Sequence, residues 1–181
     1  MPVIHIVTGS AGKAASFRRL IPASIQFKVV DIDLSEIQSF DAKAIITDKV
    51  QRAYAVIGKP ILVEDVSAGL YALGGLPGPF IKFFEERLGK DALYQLAKGR
   101  DSTATITSTI GYYDGVKLTI VEGQVEGNVV AARGENGFGF DCCFVAHGQT
   151  KTFAEMTDAE KDSVSHRSQS VKAFLGELKK L

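Results

Sequence analysis

The chain of 181 residues is long enough for one good hydrophobic core and too short for two comfortable domains. Hydrophobic residues make up 45% and charged residues 23%, as in an ordinary globular protein in water. The 21 basic and 21 acidic side chains cancel, which excludes a strong overall attraction to nucleic acid or to an anionic membrane. We therefore expect a single domain over residues 1–181, with any anion site assembled locally.

The first third of the chain alternates predicted strands and helices. The apolar run Val3–Thr8 leads into TGSAGK, which indicates a strand, a Gly-rich turn and the start of a helix. Two further runs predict strands, of which the second is short and buried: Gln26–Asp31 and Pro60–Val63. Between them, an amphipathic helix is predicted to end near Gly58, and the apolar residues at its helical spacing are Ile46, Val50, Ala53, Tyr54 and Ile57.

The period of the hydrophobic pattern changes in the second half. Before the change, two helices are predicted, Pro79–Leu88 and Asp91–Ala97. After it, STATITSTIGYY and VKLTIVEGQVEG alternate around "DG" (114–115), which is typical of a β-hairpin with a two-residue turn. A last helix follows, with Ser165 as its N-cap and with one apolar face made of Val164, Val171, Phe174, Leu175 and Leu178. Interleaved helices and strands with a long hairpin predict an α/β fold with a mixed sheet.

Localisation is predicted from the N-terminus and the cysteines. The start, MPVIHIVTG, lacks the charged region and long apolar segment of a signal peptide, and no apolar run approaches the roughly 18 residues of a membrane span. Cys142 and Cys143 are the only cysteines, and neighbours rarely pair with each other. We expect reduced thiols that act as buried filler, a cytoplasmic protein, and neither nucleic acid nor membrane as a partner.

The turn TGSAGK is the first candidate site. A Gly-rich turn before a helix leaves backbone N–H groups that suit a phosphate, and Lys13 adds a positive charge. A Walker A loop is excluded because Val7 and Ala14 stand where that motif requires Gly and Ser or Thr. The segment is either a phosphate loop of another kind or only a turn.

Acidic residues follow two of the predicted strands. Asp31, Asp33 and Glu36 follow the second strand, and Glu64 and Asp65 follow the third. Adjacent parallel strands would bring both groups to the carboxyl edge of the sheet, where α/β proteins bind ligands. Two carboxylates beside a phosphate loop suit Mg²⁺, which takes few protein ligands and completes its shell with water and phosphate. We interpret Asp31 and Asp33 as solvated turn residues, and Glu36 and Asp65 as candidate metal ligands.

The third group of candidates lies late, in FGFDCCF and AEKDSVSHRSQS. Phe138 or Phe140 could place a ring against a flat base, although core packing is the commoner role of Phe. Ser165, His166 and Arg167 place three hydrogen-bond donors at a predicted helix start. A catalytic role for Ser165 as nucleophile is not indicated, since nothing in the sequence marks it as activated.

Together these motifs resemble the inosine triphosphate pyrophosphatase (HAM1-like) family. VTGSAGK, LSEIQ, VEDVSAGLYALGGLPGPFIKFF, FGFDCCF, TFAEMTDAEK and SHR stand in the family's order over nearly the whole chain. The resemblance implies a homodimer of two-lobed α/β molecules, each with a long, mixed, twisted sheet flanked by helices and a central cleft. It also implies Mg²⁺-dependent hydrolysis, with Mn²⁺ as a substitute, of inosine, deoxyinosine and xanthosine triphosphates to the monophosphate and pyrophosphate, which cleanses the nucleotide pool.

The resemblance implies a role for individual residues. Asp65 matches the general base and, with Glu36, the metal ligands. The triphosphate contacts are matched by Thr8, Gly9, Ser10, Ala11, Gly12, Lys13, Lys49 and Lys82. The base and sugar contacts are matched by Phe138, Gly139, Phe140, Asp141, Lys161, His166 and Arg167. Val66 occupies one further substrate-binding position.

Five positions depart from the family pattern. Ser10 replaces Asn, Ser16 replaces Glu, Val66 replaces Ser or Thr, Phe140 replaces Trp or Tyr, and Cys142 replaces Pro. The missing donor at Val66 would weaken substrate binding by about 1–2 kcal/mol. The family's reaction is our leading interpretation. The alternatives are the same reaction on another modified nucleotide, as in the related Maf-like proteins, and a nucleotide-binding module with reduced turnover.

Overall fold

The computed structural model describes residues 2–180, and these contain seven strands and six α-helices. The strands are β1 (Ile4–Val7), β2 (Phe27–Val30), β3 (Ile61–Leu70), β4 (Pro77–Gly78), β5 (Thr103–Tyr113), β6 (Leu118–Val129) and β7 (Phe144–Ala146). The helices are α1 (Ala11–Leu20), α2 (Ala42–Ile57), α3 (Ile81–Leu88), α4 (Ala92–Ala97), α5 (Asp158–Val164) and α6 (His166–Leu178). The predicted α/β fold is confirmed.

One mixed sheet joins all seven strands, in the order β2-β1-β3-β5-β6-β7, with β4 paired to β3. β1 runs parallel to both β2 and β3, whereas β3–β4 and β6–β7 are antiparallel. Our expectation that the two acid-bearing strands are adjacent was wrong, because β1 lies between β2 and β3. Val7 is nevertheless level with Val30 and with Val63, so the residues that follow all three meet at the same sheet edge.

β3 is longer than the predicted strand Pro60–Val63, because it continues to Leu70. Glu64 and Asp65 therefore lie inside the strand and do not follow it. The Gly-rich sequence that suggested an early end is held in the sheet by pairing of Gly69 with Pro77 on β4. A Cβ at Gly69 would lie 2.8 Å from the carbonyl oxygen of Gly75, so the close approach of these two segments requires glycine.

Two smaller expectations also need correction. The turn between β5 and β6 has four residues and not two, because the Asp114 carboxylate accepts hydrogen bonds from the N–H groups of Val116 and Lys117, both at 2.7 Å. Val164 belongs to α5 and not to the last helix. Ser165 does cap the last helix as predicted, since its hydroxyl accepts from the N–H of Ser168 at 3.2 Å.

Contacts divide the chain into two compact units. The first holds the described residues up to Asp65, Ser108–Gly123 and those from Gln169 onward, and its core includes Ile6, Phe17, Leu62 and Phe174. The second holds Val66–Thr107 and Gln124–Ser168, and its core includes Leu70, Leu93, Phe144 and Phe153. The single domain predicted over the whole chain stays a prediction. None of the helices within residues 2–180 is long and apolar enough to cross a membrane.

Candidate active site

The first unit fixes the loop between β1 and α1 by hydrogen bonds at both of its ends. The N–H of Thr8 donates to the carbonyl oxygen of Val30 at 3.0 Å, which anchors the loop to β2. Ser10 is the N-cap of α1: its hydroxyl accepts from the N–H of Lys13 at 3.3 Å, and its own N–H donates to the Thr8 hydroxyl at 3.1 Å. The first turn of α1 carries no acid, so the positive end of the helix dipole at this turn is not neutralised by its own residues. The predicted turn is thus built in a form that suits an anion.

Lys13 reaches across to β3. Its ammonium lies 3.3 Å from the carboxylate oxygen Oε2 of Glu64 and donates to the main-chain oxygen of the same residue at 3.3 Å. Glu64 is only 4% exposed, and a buried carboxylate is costly unless a positive group accompanies it. Lys13 is therefore a positive partner that helps to make an acid tolerable at this point of a buried strand.

Asp65, the next residue along β3, is in a different situation. Its Oδ2 atom is buried and has no hydrogen-bond partner. Burial raises the pKa of Asp65, Lys13 and Lys49 act to lower it, and Glu36 and Glu64 raise it further. The structure therefore places four charged side chains of the first unit within electrostatic reach of Asp65, which lies in the same unit: Lys13, Lys49, Glu36 and Glu64.

Glu36 and Lys49 form an ion pair and a hydrogen bond. The carboxylate belongs to the loop before α2 and is half-exposed, whereas the lysine side chain, on α2, is largely buried. Lys49 is thus held close to the metal candidate Glu36, and a cation on Glu36 would have to share that carboxylate with it.

A divalent cation fits the first-unit residues through Asp65, because a buried carboxylate oxygen without a partner is a ready ligand for a hard cation. No group of three or more His, Cys, Asp or Glu residues that could hold a metal occurs within residues 2–180. Any ion here would accordingly be coordinated by one or two carboxylates and by oxygens of water or of a bound phosphate. Mg²⁺ is typically bound in this way, whereas a structural metal is not.

The second unit brings the late candidates together around Asp141. This buried carboxylate accepts hydrogen bonds from the N–H of Phe138 at 2.8 Å and from the ammonium of Lys161 at 2.5 Å. Lys161 is also buried, so the two charges compensate each other in a low-dielectric setting. Gly139 adopts φ 57°, and glycine accommodates this left-handed conformation without steric cost.

Two cationic side chains lie near the Phe138 ring. The Lys161 ammonium lies 5.3 Å from the centre of the Phe138 ring, and the Arg167 guanidinium lies 5.5 Å from the same ring. Phe138 is 38% exposed whereas Phe140 is 8% exposed and packs 6.0 Å, centre to centre, from the His166 ring. Of the two predicted stacking rings, Phe138 is therefore the more accessible to a ligand.

Two further predicted substrate contacts, Lys82 and Val66, belong to the second unit. Lys82 lies on α3 with its side chain 77% exposed, 4.0 Å from Glu86 on the next helical turn. Val66 packs against the apolar core of the second unit, so its side chain is used in packing. Their proposed roles toward a nucleotide stay predictions.

Sequence reasoning missed Glu85 on α3. Its carboxylate accepts a hydrogen bond from the backbone of Phe140, and its Oε1 atom is buried without a hydrogen-bond partner. Burial raises its pKa to about 7, and the Asp141 charge adds to the rise. A signal was present in the sequence: Glu85 follows the buried Ile81 by four residues and so shares its helix face.

Comparison with known proteins identifies the family. The model of the Ham1 family matches residues 4–177. This chain belongs to the Ham1 family. The predicted resemblance is confirmed, and it covers almost all of the chain rather than one motif-bearing segment.

Relatives within the family are similar over nearly their full length. The inosine triphosphate pyrophosphatase of Schizosaccharomyces pombe is 38% identical over 91% of this chain and 88% of its own. That of Yarrowia lipolytica is also 38% identical, over 96% of each chain. A solved Ham1 protein from Coxiella burnetii covers all of this chain and of its own with a TM-score of 0.84 at 24% identity, which shows the fold alone. A nucleoside-triphosphatase, dITP/XTP pyrophosphatase, from Mycobacterium abscessus has a TM-score of 0.72 at 25% identity over 96% of this chain and 98% of its own.

Proposed function

We propose that this protein is a Mg²⁺-dependent pyrophosphatase that hydrolyses inosine, deoxyinosine and xanthosine triphosphates to the monophosphate and pyrophosphate. The observation that carries the proposal is the Asp65 carboxylate, whose buried oxygen without a hydrogen-bond partner lies within electrostatic reach of Lys13 and Lys49. The fungal relatives are inosine triphosphate pyrophosphatases, which supports the substrate class.

The triphosphate binds to the turn Thr8–Lys13 and to Lys49. Backbone N–H groups at the start of α1 receive phosphate oxygens, and the Ser10 hydroxyl already orders that turn. Lys13 and Lys49 supply full charges that neutralise the polyphosphate and hold the pyrophosphate as it leaves.

Asp65 and Glu36 would hold the divalent cation, which would neutralise phosphate charge and polarise the phosphoryl group; Mn²⁺, with similar oxygen preference, would substitute for Mg²⁺. Asp65 also orients the attacking water. The water oxygen bonds to the α-phosphorus, the oxygen between the α- and β-phosphates departs with the pyrophosphate, and the water proton passes to the Asp65 carboxylate.

The purine is read by the buried donors of the second unit. His166 and Arg167 donate to a 6-keto oxygen, and Phe138 supplies the ring face that packs on the base. Adenine carries an amino donor at that position, which would leave buried donors without acceptors. Such a site rejects the wrong base by roughly 10⁴-fold.

We further propose a cytoplasmic homodimer. Cys142 and Cys143 are free and buried, as suits a reducing compartment. Leu76 and Phe83 in the second unit are 44% and 52% exposed, which is apolar surface that a second copy would cover. Light scattering during size-exclusion chromatography measures the mass, and a monomer at every concentration would reject the dimer.

One assay tests the reaction and its base preference. The protein is incubated with inosine, xanthosine, guanosine, adenosine and pyrimidine triphosphates, with and without Mg²⁺, and pyrophosphate and orthophosphate are measured separately. We expect pyrophosphate from the inosine and xanthosine nucleotides only when Mg²⁺ is present. Preferred turnover of another base would favour the Maf-like alternative, binding without product would favour the module with reduced turnover, and release of single orthophosphate would reject both pyrophosphatase readings.

A further inference from the structure

A chain of buried polar side chains lies behind Lys13 in the first unit. The Ser108 hydroxyl on β5 donates to Oε1 of Glu64 at 2.6 Å, and Oε2 of the same carboxylate faces the Lys13 ammonium at 3.3 Å. The Ser108 hydroxyl also lies 2.8 Å from the hydroxyl of Ser170 on α6. Both serines are completely buried and Glu64 is nearly so. The order of contacts is therefore Ser170, Ser108, Glu64, Lys13.

The two oxygens of the Glu64 carboxylate have different partners, and this fixes how the group is turned. Because Ser108 engages Oε1, Oε2 is directed to the lysine, and the same lysine also donates to the Glu64 carbonyl oxygen. Ser170 contacts the Ser108 hydroxyl at 2.8 Å. Because the Ser108 hydroxyl proton goes to Glu64, Ser170 is the donor in this contact and so orients Ser108. A free rotation of the carboxylate would break one of these contacts in a low-dielectric interior, where each is worth more than in water.

Lys13 itself gains order from this arrangement. Its backbone N–H is held by the Ser10 cap, and its ammonium is held by Glu64, so both ends of a long side chain are fixed. A lysine side chain that is free in solvent has rotamer entropy that is lost when the side chain becomes ordered on a bound phosphate. Fixing the ammonium in advance lowers that cost of binding.

We propose that Glu64, Ser108 and Ser170 form a positioning relay that fixes the Lys13 ammonium for polyphosphate. The relay rests on the proposed function of the first-unit loop and extends it to three residues that bind no substrate themselves. Glu64 is thus distinct in role from its neighbour Asp65: Glu64 orients a cationic side chain, whereas Asp65 acts on water and metal.

The test is a double-mutant cycle between the far end of the relay and Lys13. Binding of inorganic pyrophosphate in the presence of Mg²⁺ is measured by calorimetry for the wild type, Ser170→Ala, Lys13→Ala and the double variant, and KM and kcat for inosine triphosphate are measured alongside. Loss of one ordering hydrogen bond predicts about 3–10-fold weaker binding for Ser170→Ala, with KM raised more than kcat is lowered. In the Lys13→Ala background the same change should alter binding by about twofold or less, because the relay then has no lysine to position.

Equal loss in the two backgrounds, or no loss in either, overturns the relay. Ser24→Ala, an exposed serine of the first unit, is the matched control and should bind like the wild type. The same cycle can be run with Glu64→Gln in place of Ser170→Ala. Thermal unfolding of each variant distinguishes loss of the fold from a change in the position of the Lys13 ammonium. Coupling in pyrophosphate binding by a protein that hydrolyses no triphosphate would support the relay and reject the proposed reaction, whereas hydrolysis without coupling would reject the relay alone.

Discussion

The Glu85 carboxylate on α3 lies directly against Gly139: a Cβ atom at position 139 would come within 2.8 Å of Oε1. The same carboxylate accepts a hydrogen bond from the Phe140 backbone and stands close enough to Asp141 for their charges to interact. An acid whose pKa is about 7 therefore supports the segment that we assign to the nucleoside. Its protonation state should be visible in the stability of the protein.

We expect Glu85→Gln to change how stability depends on pH. The folded protein raises the pKa of Glu85 from 4.5 to about 7, so between these values the folded state keeps a proton that the unfolded state has lost. The free energy of unfolding of the wild type accordingly falls as pH rises through this window and levels off above it. The shift corresponds to roughly 3 kcal/mol, and solvent screening of a partly exposed side chain reduces it to about 1–2 kcal/mol.

Urea unfolding at pH 5 and pH 8 measures this effect. Glu85→Gln should gain about 1–2 kcal/mol relative to the wild type between the two pH values, while Glu86→Gln, its exposed neighbour, should gain nothing. Parallel pH profiles for Glu85→Gln and wild type would show that the carboxylate is already ionised throughout.

Asp141→Asn should destabilise the second unit strongly. Lys161 is buried and its ammonium bonds to Asp141, so the substitution leaves an uncompensated charge in the interior at a cost of about 3–5 kcal/mol. The exposed pair Lys180–Glu177 provides the control, and Glu177→Gln should cost less than about 1 kcal/mol. Equal, small effects of the two substitutions in chemical denaturation would contradict a buried, mutually dependent pair.

Arg167→Ala should affect the choice of base more than the chemistry. Arg167 is buried beside the Phe138 ring in the second unit, and Asp65 is in the first. We expect the ratio of kcat/KM for inosine over adenosine triphosphate to fall by about 10-fold or more, with a smaller fall in kcat for inosine triphosphate. An unchanged ratio would assign base recognition to other residues.

Local sequence patterns predicted most of the first unit's elements because residues at their ends signal where each element starts or stops. Gly58, at φ 63°, ends α2 where the periodic apolar residues end, and Ser10 caps α1 at the Gly-rich turn. β3 was predicted too short because its later part pairs with β4 at Ala68 and Gly69, a contact that glycine and proline in the sequence argue against. Because of that error, Glu64 and Asp65 were not predicted to lie within one strand. Successive side chains of a strand point to opposite faces of the sheet, so buried Glu64 and its neighbour Asp65 face different sides.

The site was predictable in its residue types and not in its pairings. The sequence identified Asp65 and Lys13 as candidates from their charges and positions. Nothing local to Lys13 indicates that its partner is Glu64, 51 residues away. Ser108 and Ser170 gave no signal at all, since a serine in an alternating strand or helix reads as solvent-facing until the fold buries it.

The turnover of Asp65→Asn tests the central claim most directly. Hydrolysis of inosine triphosphate is measured at saturating Mg²⁺, with circular dichroism and thermal unfolding to verify the fold and Asp33→Asn, an exposed acid of the same unit, as the control. We predict a loss of at least about 10³-fold in kcat for Asp65→Asn and near wild-type turnover for Asp33→Asn, because only the former removes the charge that binds the cation and accepts the proton. Pyrophosphate release by folded Asp65→Asn within about tenfold of the wild-type rate would contradict the account.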